Sequence, residues 1–173
     1  LAQIPNPQPD TYVNDYTGSL STQEIRMLNE QIRMLEDRTT VQLAILIIND
    51  LPKDMSIEDY ARDIGNKWKV GNAHNGLVYV AVLHERRQRL EVASHLEGEI
   101  PDMIAQQIID NLRPYLKEQD YYHAMTSLVS QISEQLQADT KTDTDSSQDP
   151  VSKQTLNPYL SAPETLDSST MET

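Results

Sequence analysis

The segment from Trp68 to Asp102 reads WKVGNAHNGLVYVAVLHERRQRLEVASHLEGEIPD, and its pattern decides the fold. A polar, glycine-containing loop from Gly71 to Gly76 leads into a buried strand. A charged hairpin tip follows, and then a second strand that ends in an acidic loop. Antiparallel strands joined by a short hairpin place the start of the first beside the end of the second. The polar side chains of the two loops are therefore predicted to converge at one edge of a sheet. They are Asn72, His74, Asn75, His95, Glu97, Glu99 and Asp102.

The sequence around this segment predicts an α/β fold, a three-layer α/β/α sandwich with a small mixed β-sheet. Val41 to Ile48 (VQLAILII) is almost continuously apolar, which is typical of a strand buried on both faces by helices. Leu77 to Leu83 is a second such strand, and the alternation from Arg89 to Ser94 indicates an edge strand. Apolar residues at helical spacing predict four helices before, between and after these strands, in the order α-β-α-β-β-α-α. They are predicted to start near Ser21, Ser56, Pro101 and Asp120.

Composition divides the 173 residues into one domain with two tails. Residues 1–11 contain three prolines and are predicted to form an extended linker. The chain starts with LAQIPNPQP, a string typical of the new N-terminus left when a signal peptide is removed, so we expect an exported protein of the periplasm or cell envelope. Residues 12–137 form the predicted domain. Residues 138–173 are an acidic Ser/Thr/Pro tail with few large apolar residues, and we expect it to be disordered.

The charge balance limits the partners. The chain carries 27 acidic and 14 basic residues, a net charge of −13. An acidic surface disfavours nucleic acid, which needs a basic face, and suits divalent cations or a basic partner. The chain has no cysteine, so disulfides and thiolate chemistry are excluded. No apolar run reaches the roughly 18–20 residues of a transmembrane helix, so we expect no transmembrane segment in this chain.

Several short strings, in this order, resemble the TPM-domain family, which includes thylakoid acid-phosphatase-like proteins and DUF477-type exported domains. The resemblance covers Tyr12 to about Ile132 and implies an exported or lumenal protein, divalent-cation binding such as calcium in some members, and an acid-phosphatase-like activity. The strings are VNDYTGSLS (13–21), WKVG (68–71), HNGLV (74–78), RLEVA (89–93), HLE (95–97) and IPD (100–102).

The chain departs from the family pattern at the predicted site. Ala93 stands where the family usually has glycine, and His74 precedes Asn75 where an acidic residue is common. Ile100-Pro101 replaces a Leu-Thr pair, so the usual threonine N-cap before the next helix is lost. These departures affect the identity and affinity of the ligand.

The polar residues of the segment predict a divalent-cation site, with calcium as the expected ion. Asn75, Glu97 and Asp102 are hard oxygen ligands, and Glu99 is a further candidate. Carbonyls of the 71–76 loop would complete the six to eight oxygens that calcium takes. The alternative is a solvated acidic loop before a helix, where the helix dipole favours carboxylates in any case.

Asp15 matches the family's N-terminal aspartate and is a further candidate ligand. A turn formed by Asn14 and Asp15 is the alternative. The topology favours the turn, because a right-handed β-α-β crossover places Asn75 at the opposite end of the sheet.

Two other groups of residues have competing interpretations. A zinc site of His74, His95 and Glu97 has the right residue types, but no helical histidine spacing supports it, and surface histidines are the preferred interpretation. The hairpin-tip arginines are interpreted as a solvated turn rather than an anion site. They are Arg86, Arg87 and Arg89.

The leading hypothesis is an exported TPM-domain protein that binds calcium in the loops flanking the hairpin. It would serve as an accessory or interaction module of the cell envelope, with an envelope or membrane protein as partner. The alternative is a metal-dependent acid phosphatase acting on small phosphomonoesters, in which the metal polarises the phosphoryl group and activates water. Glu97, Asp102 or Asp15 would then be ligands or base, but the sequence identifies no nucleophile, so catalytic residues stay unassigned. A structural interaction domain without a metal is the third class.

Overall fold

The computed structural model describes residues 4–140 and Tyr159, with side chains to Gln137 and at Tyr159. It contains four strands and five helices. The strands are β1 (Val13–Asp15), β2 (Gln42–Ile48), β3 (Gly76–Val82) and β4 (Arg87–Val92). The helices are α1 (Thr22–Thr39), α2 (Ile57–Trp68), α3 (Asp102–Asp110), α4 (Arg113–Lys117) and α5 (Tyr121–Thr140).

The strands form one sheet in the order β1-β2-β3-β4. β1, β2 and β3 are parallel, and β4 pairs antiparallel with β3 at the edge. This confirms the α/β prediction of a small mixed sheet with the hairpin at one side. The sequence did not reveal β1, because a strand of three residues is too short to show a periodic pattern.

Two separate cores lie on the two faces of the sheet. All seven residues of β2 are buried, and so are all seven of β3. Alternate residues of both strands pack against α1, α3 and α5 on one face, and the others pack against α2 on the second face. Successive crossovers of the same hand would put α1 and α2 on the same face. The two β-α-β crossovers therefore have opposite hands, and one departs from the usual right-handed rule.

Side-chain caps set the starts of α1 and α2. The Ser21 hydroxyl accepts a hydrogen bond from the Glu24 N–H at 3.0 Å, and the Glu24 carboxylate accepts one from the Ser21 N–H at 3.0 Å. The Ser56 hydroxyl accepts from the Asp59 N–H, also at 3.0 Å. These bonds satisfy backbone donors that the first helical turn leaves without partners. The capping box and the α2 start are thus confirmed.

Residues near both chain ends make contacts with the domain. Residues 4–11 form no helix or strand, yet the Ile4 carbonyl accepts a hydrogen bond from Lys67 Nζ at 2.8 Å and the Pro5 carbonyl accepts one from Trp68 Nε1 at 2.8 Å. Helix α5 continues to Thr140, past the boundary expected at 137. Most of the tail predicted as disordered lies outside the described residues. Beyond residue 140 the structure describes Tyr159, and it is buried in the second core.

Among the described residues, no helix combines the length and the apolar composition that crossing a membrane requires.

Buried tyrosines make the fold sensitive to alkaline pH. Burial raises the pKa of Tyr60 from its ordinary value of 10.0 to about 12, and burial also raises the pKa of Tyr79. Between pH 10 and 12 the unfolded chain releases a phenolic proton that the folded chain keeps. The free energy of unfolding is therefore expected to fall by about 1.4 kcal/mol per pH unit for each such tyrosine, and urea unfolding from pH 9 to 12 measures this.

The variant Tyr60→Phe isolates one of these contributions. Above pH 10 its free energy of unfolding is expected to fall less steeply than that of the wild type. The difference in slope is the contribution of one tyrosine, about 1.4 kcal/mol per pH unit. Tyr115→Phe is the matched control, because Tyr115 is 39% exposed. Equal slopes for Tyr60→Phe and the wild type would contradict the assignment.

Candidate functional site

The two loops of the opening segment meet at one edge of the sheet, as the hairpin predicted. The Ala93 N–H donates a hydrogen bond to the Gly76 carbonyl at 3.0 Å, directly after the register pair of Leu77 and Val92. The His74 and His95 rings stack with centroids 5.1 Å apart and an interplanar angle of 28°. We call the loops 71–76 and 93–102, with these rings between them, the edge loops.

Gln42 holds the first edge loop against the sheet. Its Oε1 accepts a hydrogen bond from the Gly71 N–H at 2.6 Å, and its backbone N–H donates to the Asn75 carbonyl at 3.0 Å. Its Nε2 donates to a Glu36 carboxylate oxygen of α1 at 3.1 Å. Within the part of the chain that the structure describes, Gln42 and Asn14 are the two buried polar residues. Sequence reasoning missed the role of Gln42, although it is the one polar residue in VQLAILII.

The backbone of the first loop is strained. Lys69, Asn72 and Ala73 have φ values of 56°, 57° and 66°, in the left-handed region that L-residues avoid. Alanine has no polar side chain that could stabilise this conformation locally, and the cost is about 1–2 kcal/mol per residue. The surrounding contacts must therefore impose the shape of the loop, as is common where a loop serves a function.

Two glycines allow the loop to close on itself. A Cβ on Gly76 would lie 2.2 Å from the Val70 carbonyl oxygen, and a Cβ on Gly71 would lie 2.5 Å from the Gly76 nitrogen. No side chain fits at such distances, so the glycines of the WKVG and HNGLV strings are explained by close backbone approach.

The acidic side chains of the second loop lie around a short 3-10 turn, Ser94–Leu96. Glu97 is exposed at the end of this turn, Glu99 is half-buried, and Asp102 is exposed as the first residue of α3. Pro101 is the N-cap of α3 and makes no side-chain capping bond, so the expected loss of a threonine cap is confirmed. The Asp102 carboxylate is left in the first turn, where the helix dipole favours it.

The fit of this site to a metal ion is partial. Within residues 4–137, no three or more His, Asp or Glu side chains are grouped so as to hold a metal ion. His74, His95 and Glu97 therefore do not form the zinc site considered above. Glu97, Glu99 and Asp102 likewise do not converge as three carboxylate ligands. A cation at the edge loops would have at most two carboxylates, with neutral oxygens from Asn75 and the loop backbone completing its shell.

Asp15 lies elsewhere and acts within a turn. Its Oδ1 accepts hydrogen bonds from the Thr17 N–H at 2.9 Å and the Thr17 hydroxyl at 2.6 Å, and its Oδ2 accepts from the Leu20 N–H at 2.8 Å. Asp15 pairs with Ile47, whereas the Asn75 carbonyl bonds to Gln42, five residues earlier in β2. That separation is about 16 Å along the strand. Asp15 is thus separated from the other candidate ligands, and its carboxylate stabilises the turn that follows β1. Asn14 is a buried residue of the strand and takes no part in that turn.

The arginine tip of the hairpin lies at the far end of β3 and β4. Arg89 pairs with Glu91 at 2.8 Å, and Arg87 lies 3.9 Å from Glu85. Neighbouring carboxylates thus take up part of the positive charge, as expected for a solvated turn in an acidic protein.

The comparisons with known proteins identify the class. Residues 13–135 match the family profile described as TPM domain, so the chain belongs to the TPM-domain family. It is similar in structure to the N-terminal domain of a P. gingivalis protein, with 28% identity, a TM-score of 0.69, and 76% of this chain and 85% of that chain covered.

Two further solved structures share the fold. The N-terminal domain of the cg2496 protein of Corynebacterium glutamicum has 15% identity and a TM-score of 0.64, covering 90% of this chain and 97% of that chain. The BA42 protein of Bizionia argentinensis has 12% identity and a TM-score of 0.62, covering 71% and 85%. No curated protein matches the chain in sequence.

The close approach at Gly76 gives a direct test of the loop geometry. Gly76→Ala is expected to lower the free energy of unfolding by about 1–3 kcal/mol, because the new Cβ would overlap a backbone carbonyl. Gly98→Ala is the matched control in the second loop, since a Cβ there has no atom within 4 Å. Its effect is expected to stay within about 0.5 kcal/mol. Urea unfolding measures both, and equal effects would show that the loop does not close as described.

Proposed function

We propose that this TPM-domain chain is an exported interaction module of the cell envelope that binds a divalent cation, calcium, at the edge loops. The observation that carries the proposal is the meeting of the two loops, with the His74 and His95 rings 5.1 Å apart and a backbone bond between Gly76 and Ala93. Envelope location is supported by the family to which the chain belongs, since the resemblance implies exported or lumenal proteins.

The donor set determines which ion the loops would prefer. Asn75 offers an amide oxygen, the first loop offers backbone carbonyls, and the second offers the carboxylates of Glu97 and Asp102. All are hard oxygen donors in a loop of irregular shape, which suits calcium better than magnesium, an ion that demands a near-ideal octahedron. The half-buried Glu99 is an additional donor only if the turn adjusts.

The small number of carboxylates makes the proposed binding weak. Calcium affinity rises with the number of charged ligands and with site rigidity, and the weak extracellular modules bind with a Kd of about 10⁻⁴–10⁻³ M. A site with two exposed carboxylates belongs in that range. Calcium at this affinity would be an environmental ligand of an exported domain, with occupancy that follows the external concentration.

An interaction role agrees with the charge of the surface. The domain is acidic as a whole, so its field attracts cations and basic surfaces of a partner. A bound calcium ion would offset the local negative charge of Glu97 and Asp102. The edge loops would then present one surface in its presence and a more negative one in its absence, and a partner could distinguish the two.

Two substitutions test the proposed ligands. With a Kd near 1 mM, 10 mM calcium is expected to stabilise the wild type by about 1.4 kcal/mol, from RT ln(1 + [L]/Kd). Glu97→Gln and Asp102→Asn each remove a charged ligand. A tenfold loss of affinity would reduce this gain to about 0.4 kcal/mol. Urea unfolding with and without calcium, at constant ionic strength, measures the gain.

Glu85→Gln is the control, because it removes the same charge from the hairpin tip, a strand length away from the edge loops. It is expected to keep the full calcium-dependent gain. If Glu97→Gln and Asp102→Asn also keep it, the cation site is not at the edge loops.

The same variants separate a binding module from a phosphatase. For a module, hydrolysis of p-nitrophenyl phosphate is expected to fall to a trace on purification and to be indifferent to Glu97→Gln and Asp102→Asn. Turnover that survives purification, and that both substitutions reduce in proportion to lost metal occupancy, would establish the enzyme instead.

A further inference from the structure

The second core has a gap beside β1 that α2 does not fill. Helix α2 packs chiefly over β3 and β4, so the sheet edge at β1 needs another cover on that face. Asn14 is the middle residue of β1, flanked by Val13, which lies in the first core. Asn14 is completely buried, although it is polar. Ile4 and Tyr12 pack against this region, and Tyr159 completes it.

Three residues form a pocket around the Tyr159 side chain. Its ring stacks on the Trp68 indole, with centroids 5.6 Å apart and an interplanar angle of 25°. It meets the Tyr12 ring edge-on at 5.7 Å and 76°. Its hydroxyl donates a hydrogen bond to the Tyr12 carbonyl at 2.6 Å and is also bonded to the Asn14 side chain. We call Tyr12, Asn14 and Trp68 the tyrosine pocket.

The pocket itself is anchored by the residues that precede β1. The Trp68 Nε1–H donates to the Pro5 carbonyl at 2.8 Å, and Asn14 Oδ1 accepts a hydrogen bond from the Gln8 N–H at 2.8 Å. Asn14 Nδ2 donates to the Tyr12 carbonyl at 3.3 Å. Trp68, which stacks on the Tyr159 ring, and Asn14, which bonds to its hydroxyl, are therefore held in place by hydrogen bonds that do not involve Tyr159.

The chemistry of the pocket selects an uncharged phenol. Tyr159 is 1% exposed, and burial raises the pKa of its hydroxyl well above the ordinary value, so the ring is neutral at physiological pH. Among the described residues, the hydroxyl contacts an amide side chain and a backbone carbonyl, which are neutral groups. The nearby Glu36 carboxylate also disfavours a negative ligand. A phosphotyrosine would bring about two negative charges into this buried site, close to the Glu36 carboxylate.

The position of Tyr159 in the chain indicates that the pocket binds its side chain and does not pack against a neighbouring helix or strand. Tyr159 follows the end of α5 by 19 residues, and α5 packs on the opposite face of the sheet. Its partner Tyr12 is 147 residues away in sequence. The contacts that the structure describes for this ring on the second face are those with Tyr12, Asn14 and Trp68.

We propose that the tyrosine pocket is a binding site for the side chain of an unmodified tyrosine on a peptide segment, and that Tyr159 of the same chain is its occupant. Tyr159 is thus a tethered ligand of the domain. A peptide with the same tyrosine, supplied separately, binds the pocket when Tyr159 is removed.

The test uses the full chain, in which Trp68 is the only tryptophan and lies under the Tyr159 ring. Tyr159→Ala is expected to shift Trp68 emission to the red and to raise its quenching by acrylamide several-fold. Tyr115→Ala, which removes a partly exposed tyrosine of α4, is the control and is expected to leave both unchanged. Circular dichroism establishes that each variant is folded.

A peptide added in trans then tests recognition. The peptide SKQTLNPYLSAPETL, residues 152–166, is expected to return the emission and quenching of Tyr159→Ala to the wild-type values. The same peptide with phenylalanine at position 159 lacks the buried hydroxyl bond and is expected to bind about 2- to 10-fold more weakly. The phosphotyrosine peptide is expected not to restore the signal.

Three results would overturn the proposal. They are unchanged Trp68 fluorescence in Tyr159→Ala, failure of the tyrosine peptide to restore it, and equal restoration by the phosphotyrosine peptide. Wild-type quenching that depends on protein concentration would assign the occupant to a second copy and overturn the intramolecular assignment. If Tyr159→Ala does not fold, Tyr159→Leu, which keeps apolar volume without ring or hydroxyl, is subject to the same peptide test and the same criteria.

Discussion

The burial of β2 on both faces is the constraint on which the rest of the structure depends. Its seven residues are all removed from water, so each face of the sheet must be covered by a separate layer. Three helices cover one face, while α2, the residues before β1 and Tyr159 share the other. Because the middle of the sheet is buried by apolar packing, polar side chains that bind a ligand are restricted to the strand ends and the sheet edges.

Gln42 links that constraint to the candidate site. As the first residue of β2, it lies where the buried strand meets the edge loops, and its side chain bonds to α1 on one side and to the first loop on the other. The glycines of that loop allow it to pass close to Val70, and the left-handed residues give it a fixed turn. The shape of the loop is thus set by its contacts with the core.

Much of the fold was predictable because it rests on local chemistry. The capping box at Ser21, the apolar runs of β2 and β3 and the hairpin all leave periodic or positional patterns in the sequence. The convergence of the edge loops followed from the hairpin alone. β1 was not predictable, since it has three residues and includes the polar Asn14, which is buried beneath a distant tyrosine and the residues before the strand.

The arrangement of the side chains in the site was harder to predict from the sequence than the location of the site. Strand pairing places loops beside one another, but the direction of Glu97, Glu99 and Asp102 depends on the 3-10 turn between them, which leaves no clear periodicity. The separation of Asp15 from the site could be predicted from the order of strands and helices, because a β-α-β crossover places Asp15 and Asn75 at opposite ends of the sheet. The burial of Tyr159 was missed because the composition of a segment does not show that one of its side chains packs against residues distant in the sequence.

The most direct test of the cation account is a ¹H–¹⁵N NMR titration of the chain with CaCl2, with MgCl2 and ZnCl2 in parallel to identify the ion. The account expects calcium to shift amide resonances of residues 71–76 and 95–102 in the millimolar range. Residues 86–89 should hardly move, because the hairpin tip lies about 20 Å away along the strands. Shifts centred on the arginine tip, or no shifts at millimolar calcium, would contradict it.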